Sequence, residues 1–412
     1  MSGSKERIGA ARCMKCGFCM SVCPVYQEDR VESHVARGRN LLIRLAEEEK
    51  VPDPDTYASS LDICLLCGRC QAVCPAGVPS PAINVQARHA RLATQGLSLR
   101  QRLVYRGMVK HRSLMARMLG LAALIPGLNH NDGVPIRHMA DATTLFSGGL
   151  FLPGISRPFL SKRLSRPVAP PQGRPASGRV AYFPGCGFEF FFSQTGYDIA
   201  HALALAGVEV VCPDNLTCCG MAVYNAGDGK TARELAAQNI EALLPYDHVI
   251  TGCATCGSTL KRYGQWFESD KRMKSKARDF SEKVSDFSQF LVSQDFQPVR
   301  NGAAPVKITY HEPCHLKWYQ GVGDFPRQLL QALDGVELIE MENADACCGL
   351  GGAFGIHHRE ISRSIQEKKI RAIEKTGADI VATACPGCMI QLMDGIRRHG
   401  LPMDVVHVGQ LL

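Results

Sequence analysis

The sequence predicts an α+β protein of several domains, a helical N-terminal domain followed by two pseudo-repeated α/β lobes with parallel strands. Three observations predict it. Residues 1–96 carry two identical cysteine spacings set among short helical patterns, with little strand. From residue 179 onward, short apolar runs alternate with amphipathic stretches, the pattern of strand–helix–strand units. That second pattern occurs twice, with cysteines at corresponding places in both copies. The 412 residues divide on this reading into 1–96, 97–178, 179–300 and 301–412.

The N-terminal runs read Cys13-Met-Lys-Cys16-Gly-Phe-Cys19-Met-Ser-Val-Cys23-Pro24 and Cys64-Leu-Leu-Cys67-Gly-Arg-Cys70-Gln-Ala-Val-Cys74-Pro75. Both are C-x2-C-x2-C-x3-C-P, the spacing of two-cluster ferredoxins. Three close thiolates hold one cube, and the fourth reaches the other cube. The expected ligand sets are Cys13, Cys16, Cys19 and Cys74 for one [4Fe–4S] cubane, and Cys64, Cys67, Cys70 and Cys23 for the other. Zinc ribbons do not need a fourth cysteine three residues on. Between the runs, residues 41–49 form a short helical pattern that Pro52 and Pro54 stop, and residues 81–92 read as another helix.

Residues 97–178 lack cysteine and hold twelve Lys/Arg against two Asp/Glu, so they account for more than the whole net charge of +8. Such a local excess argues against a general nucleic-acid binder. Residues 100–124 have helix-forming composition, with Arg102, Arg106, Lys110, Arg112 and Arg117 interleaved among apolar side chains. Two readings stand: a basic amphipathic helix on an anionic membrane surface, or a connector packed on its own chain or a partner. From Pro153 the composition turns to Pro, Arg, Ser and Gly, a linker that marks a domain boundary.

The first repeat opens with a strand from Arg179 that leads to Cys186. Ile199, Ala202, Leu203 and Ala206 then take helical spacing. A second strand ends at Cys212 and leads to Cys218-Cys219-Gly220, and a third leads to Cys253-Ala-Thr-Cys256. The second repeat gives Cys314, then Cys347-Cys348-Gly349, then Cys385-Pro-Gly-Cys388. Each copy gathers five thiols at strand C-terminal ends, where open parallel sheets build their sites. A further iron–sulfur cluster in each lobe, a mononuclear zinc with a spare cysteine, and redox dithiols without metal are the alternatives. Cys212 has no counterpart in the second copy and reads as a buried strand cysteine or a sixth ligand. His311 and His315 flank Cys314, where they either tune a cluster, shuttle a proton, or serve only structure.

Nineteen cysteines are far more than an ordinary enzyme of this size carries. The N-terminus shows no apolar core of a signal peptide. A cytoplasmic protein with reduced, metal-ligating thiols is therefore expected rather than a disulfide framework. The longest apolar run, 118–128, is too short to span a bilayer.

Each Cys-Cys-Gly, with its upstream cysteine and downstream C-x-x-C, resembles the cysteine-rich CCG domain family. With the ferredoxin pair in front, the chain resembles the iron–sulfur subunits of glycolate oxidase and related lactate dehydrogenases. Cys16-Gly-Phe-Cys19, Arg37-Gly-Arg-Asn-Leu-Leu-Ile-Arg44, Cys74-Pro-Ala-Gly-Val78 and Tyr263-Gly-Gln265 carry the likeness locally. The resemblance implies that a partner subunit holds FAD and oxidises a 2-hydroxy acid, while this chain relays electrons toward quinone or another carrier. The same architecture is similar to the C subunit of anaerobic glycerol-3-phosphate dehydrogenase. The CCG pair alone resembles heterodisulfide reductase, whose CCG sets hold noncubane [4Fe–4S] clusters. Some glycolate oxidase subunits have a degenerate C-x-x-C, whereas both are intact here, which leaves a disulfide-reducing role as the alternative. No strand leads into G-x-G-x-x-G, so FAD and NAD are expected elsewhere.

Overall fold

The computed structural model describes residues 9–51, 53–125, 129–130, 150–151, 153–171, 176–298 and 304–412. The end of the apolar run, 126–128, and part of the boundary stretch, 172–175, lie outside them.

Three helices frame the N-terminal cysteines: α1 (Ala36–Glu47), α2 (Pro54–Asp62) and α3 (Ser80–Gln95). The Asp53 carboxylate starts α2 by accepting from the backbone of Asp55 and Thr56, with Pro54 in the first turn. Ile43, Leu61, Val78, Ile83 and Ala87 form a small core between the helices. So small a core is supplemented by buried polar ties from α1. Arg39 donates to the carbonyls of Ser60 and His34, both at 2.7 Å, and Asn40 donates to Ser80 Oγ at 2.9 Å. The Arg-Gly-Arg-Asn stretch is thus the clamp of this domain.

The helix expected over 100–124 is two pieces. A short turn, Leu99–Arg102, widens into a π-helical stretch, Leu103–Val109, and the chain then breaks at His111 before α4 (Arg112–Ala122). Three of its cations pair with the first lobe. Arg106 pairs with Asp228 at 3.0 Å, Lys110 with Glu234 at 2.8 Å and Arg112 with Glu189 at 2.9 Å. Its apolar side chains turn outward: Leu99, Leu103, Val104, Leu114, Met118, Leu121, Leu124 and Ile125 are all exposed.

The stretch read as linker packs on the lobes. Phe151, Leu160 and Leu164 are buried in the lobes' own core. The Phe151 amide donates to Asp394 at 2.8 Å, and Val168 pairs antiparallel with Val210. Proline and arginine between these anchors hide them from a composition argument.

The first lobe holds β1 (Arg179–Tyr182), α5 (Ser193–Leu205), β2 (Glu209–Val211), α6 (Gly229–Leu243), β3 (His248–Thr251), α7 (Ala254–Leu260) and β4 (Val284–Asp286). The second holds β5 (Val306–His311), α8 (Cys314–Gln320), β6 (Val336–Leu338), α9 (Arg359–Glu374), β7 (Ile380–Thr383), α10 (Pro386–His399) and β8 (Asp404–His407). Both sheets are parallel, in the orders β2-β1-β3-β4 and β6-β5-β7-β8. The repeat is therefore one of topology as well as sequence. The fourth strands, β4 and β8, were not read from the sequence. As expected, α5 buries Ile199, Ala202 and Leu203 against its sheet.

The two sheets meet end to end. The Ala254 amide donates to the Ala384 carbonyl at 3.1 Å, and His407 Nε2 donates to the Gly252 carbonyl at 2.8 Å. One apolar core runs through both lobes. The C-terminal ends of the strands, and the loops that follow them, consequently converge on one interface. Among the described residues no helix is long and apolar enough to cross a membrane.

Candidate metal centres

In the N-terminal domain, Cys13, Cys16, Cys19 and Cys74 line one cavity, with Cys70 also on its wall. Cys23 and Cys67 pack into a separate apolar cluster with Val25, Ile63 and Leu65. Burial raises the Cys23 thiol, and neighbouring Cys64 adds to the shift. Backbone amides point at two of the sulfurs: Leu66 N–H at Cys64 and Val78 N–H at Cys74, both at 3.4 Å. Cys16 is exposed, flanked by the exposed side chains of Met14 and Phe18.

The second cysteine run is docked against the second lobe. Tyr319 Oη on α8 donates to the Leu66 carbonyl at 2.7 Å, and Arg69 pairs with Asp345 at 3.4 Å. Burial, then the neighbouring Cys347 and Cys314 thiols, push Cys67 well above the ordinary thiol range. The two cysteine-rich lobes are thus unequal in position, and the second adjoins the N-terminal domain at its thiols.

In each lobe the five thiols collect where the strand order reverses between the first and third strands, the switch point at which such sheets bind ligands. Cys186 and Cys314 follow the first strands. The Cys-Cys pairs follow the second. Cys253 and Cys385 are the N-caps of α7 and α10, the helices after the third strands. A helix N-terminus favours the thiolate form. The Cys253 sulfur also accepts from the Cys256 amide at 3.4 Å.

Glycines allow the crowding. A Cβ on Gly185, whose φ is +68°, would lie 2.7 Å from the Cys256 sulfur. Gly349 follows its cysteine pair at φ +96°, and a Cβ there would lie 2.8 Å from the Ser362 carbonyl. The Gly220 and Gly349 amides donate back to Cys218 and Cys347, each at 3.4 Å.

The ten thiols form one continuous line through the lobe interface. Cys186 contacts Cys218, Cys218 contacts Cys219, and Cys219 contacts Cys256. Cys256 contacts Cys253, which reaches Cys385 of the other lobe. Cys385 contacts Cys388, which lies 3.6 Å from Cys348, and Cys348 leads through Cys347 to Cys314. Hydrogen bonds from adjacent thiols hold Cys218, Cys348 and Cys385 well below the usual thiol range.

Several side chains hold the backbone around this line. Asn239 donates to the Cys218 carbonyl at 3.0 Å, and Tyr263 Oη to that of Cys219 at 2.9 Å. In the second lobe Ser362 Oγ holds the Gly349 carbonyl at 3.0 Å. Lys369 is buried, donating to the carbonyls of Asn343 and Ala344 at 2.6 and 3.2 Å. Burial lowers it to about 8, with the Cys348 and Cys347 thiols acting the other way. Its ammonium offsets negative charge at that site. The supporting roles of Asn239, Ser362 and Lys369 carry no motif and were not read from the sequence.

Cys212 stands apart, beside Arg112 and Glu189, and burial pushes it up to about 12. His315 Nδ1 meets Ser258 Oγ at 2.7 Å across the lobe interface, and its ring stacks on Tyr319. Burial lowers it to about 4, so it is a neutral interface residue. His311 has no such partner: both ring nitrogens are buried without a close hydrogen bond.

The donor set fits thiolate-ligated iron–sulfur clusters. All nineteen cysteines are free thiols, and the 3.6 Å between Cys348 and Cys388 is far longer than a disulfide bond. Fold and sites together define an iron–sulfur protein in which a helical two-cluster domain precedes two cysteine-rich lobes.

Comparison with known proteins agrees. The model of the 4Fe-4S dicluster domain matches residues 9–78, and that of the cysteine-rich domain matches 180–261 and 308–393. The "Probable glycolate oxidase iron-sulfur subunit" of Bacillus subtilis (strain 168) is 34% identical over 99% of this chain and 95% of its own length. "Lactate utilization protein A" of Geobacillus sp. (strain WCH70) is 32% identical over 57% of this chain and 98% of its own. "Lactate utilization protein A" of Geobacillus kaustophilus (strain HTA426) is 34% identical over 57% of this chain and 98% of its own. The chain belongs to the family of the glycolate oxidase iron–sulfur subunits.

Proposed function

We propose that this chain is the electron-transfer subunit of a flavin-dependent 2-hydroxyacid dehydrogenase. A separate subunit holds FAD and oxidises glycolate or lactate, and this chain carries the electrons toward quinone or another acceptor. One observation carries the reading: the thiol sites follow one another from the exposed Cys16, past Cys67, to Cys314 and along the line to Cys186.

In this reading Cys13, Cys16, Cys19 and Cys74 hold one cubane, and Cys64, Cys67, Cys70 and Cys23 the other. Cys186, Cys218, Cys219, Cys253 and Cys256 hold a third centre of noncubane type. Cys314, Cys347, Cys348, Cys385 and Cys388 hold a fourth. Bound clusters supply one-electron redox chemistry. The chain's own part is to exclude water from the lobe thiols and to aim amides at sulfur, which stabilises the reduced, more negative state. The units 1–96, 97–178, 179–300 and 301–412 are proposed as its domains.

The test is anaerobic purification of the native complex through this chain. Flavin in the preparation, and bleaching of the broad cluster absorbance by glycolate or lactate, are expected. A flavin-free preparation that instead reduces a small disulfide from an artificial donor would transfer the reading to the disulfide-reductase alternative.

The outward apolar face of 99–125 supports a peripheral seat on the cytoplasmic face of an anionic membrane. Arg100, Arg102 and Arg117 remain exposed beside it, matching the charge of acidic headgroups. The protein is expected to float with vesicles rich in anionic lipid. Replacing Leu121 and Leu124 together by Gln should weaken partitioning onto the vesicles about a hundredfold or more, since each buried leucine contributes about 1.5 kcal/mol or more. Unchanged flotation, or apolar contact only with the flavin subunit, removes the membrane from the reading.

A further inference from the structure

The two lobes look like copies, yet one position inside their sites differs in kind. Tyr182 pairs with Ile250 in the first sheet, and Tyr310 pairs with Ala382 in the second. The next residue is Phe183 in the first lobe and His311 in the second. Phe183 N–H donates to the Ile250 carbonyl, so it continues the strand in the same register as His311, which pairs with Thr383. At matched places beside five thiols, one lobe puts a phenyl ring and the other an imidazole.

That imidazole is wholly buried, and neither Nδ1 nor Nε2 has a close hydrogen-bond partner, the Ala344 backbone acting on it from nearby. Leaving a polar group buried and unpaired is costly, so folded proteins seldom keep one without a reason. One ring nitrogen lies within 4.8 Å of both the Cys348 and the Cys388 sulfurs. Those sulfurs are 3.6 Å apart. Cys348, Cys388 and His311 thus bring three potential ligand atoms together, and all three residues are buried.

We propose that His311 is a nitrogen ligand of the metal centre in the second lobe, which makes the two lobe centres chemically unequal. The inference rests on the reading that the lobes hold iron–sulfur centres. His311 takes a ligand position that a thiolate fills in the first lobe, so one of the five second-lobe thiols stays unbound. A neutral imidazole donates less charge than a thiolate, and histidine in place of cysteine raises cluster potentials. The second-lobe centre should therefore be easier to reduce than its five-thiolate counterpart in the first lobe. Inequality of that sign places the more oxidising lobe centre next to Cys67.

The experiment uses the cluster-loaded full chain with 15N-labelled histidine. Iron content above that of the two N-terminal cubanes checks the underlying reading separately. Pulsed EPR should then detect one strongly coupled histidine nitrogen in the wild type. The His311→Phe variant, which installs the first lobe's own residue, should lose that coupling and reduce at a lower potential. Strong coupling that persists in His311→Phe overturns the proposal. So does a wild type with excess iron but only weakly coupled nitrogen, the signature of a ring that merely hydrogen-bonds to sulfur.

Discussion

Cys67→Ser is expected to stop electron transfer between the N-terminal domain and the lobes while leaving the chain folded. Cys67 combines two properties that no other cysteine of the two N-terminal runs shares. It belongs to the second ferredoxin run, and it neighbours Cys314 and Cys347 of the second lobe. Its loop is held there from both sides, by Tyr319 on Leu66 and by Asp345 on Arg69. A serine keeps the volume of the side chain and nearly all of these contacts. It is a poor ligand for iron, which prefers the softer thiolate. Iron should fall by the content of one cubane, and substrate-driven reduction of an external acceptor should drop to background. Cys212→Ser is the control. Cys212 touches none of the ten lobe thiols in line, lying by Arg112 and Glu189 instead, and its loss should leave both iron and rate unchanged. A Cys67→Ser complex that still transfers electrons at the wild-type rate would refute the proposed route.

The ligand candidates were legible because cysteine spacing is a local property. C-x2-C-x2-C-x3-C and C-x-x-C state which sulfurs can share a turn, and a helix or loop then realises that within a few residues. The parallel lobes were legible for a similar reason, since apolar runs and amphipathic stretches alternate twice. What spacing does not encode is which site lies beside which. The neighbourhood of Cys67 and Cys314 depends on Tyr319 reaching Leu66 across 253 residues of sequence. The line through Cys253 and Cys385 depends on two sheets meeting end to end. The connector shows a third limit. Its composition left open whether the cations face a membrane or the chain itself. Asp228, Glu234 and Glu189, all in the first lobe, decide that Arg106, Lys110 and Arg112 face inward. The difference between Phe183 and His311 was visible in the sequence as letters, but its meaning required the strand register.

Arg88→Met is expected to loosen the N-terminal domain by about 3 kcal/mol, more than any surface charge there could. Arg88 lies on α3, and only 9% of it is exposed. Its guanidinium donates to the Leu61 carbonyl at 3.0 and 2.6 Å, to that of Cys64 at 3.3 Å, and to that of Asn225 in the first lobe at 2.9 Å. One side chain thus satisfies the carbonyls around the start of the second cysteine run and ties that run to a lobe. Burial lowers its pKa while the nearby Cys64 and Asp62 act the other way, yet an arginine so bonded stays charged. Methionine fills the space and offers no donor, which leaves the half-buried Cys64 and Asn225 carbonyls without this partner. Arg91, one turn along α3, pairs with the half-exposed Asp62 at 2.6 Å. Such a pair contributes at most about 1 kcal/mol, so Arg91→Met should be far milder. Urea unfolding followed by the visible absorbance of the clusters separates the two, because that signal reports the cysteine loops rather than the lobes' cores. Equal shifts for both variants would mean that the carbonyls around Cys64 find water when Arg88 is gone, and that the N-terminal domain is held to the lobes chiefly through Tyr319 and Asp345.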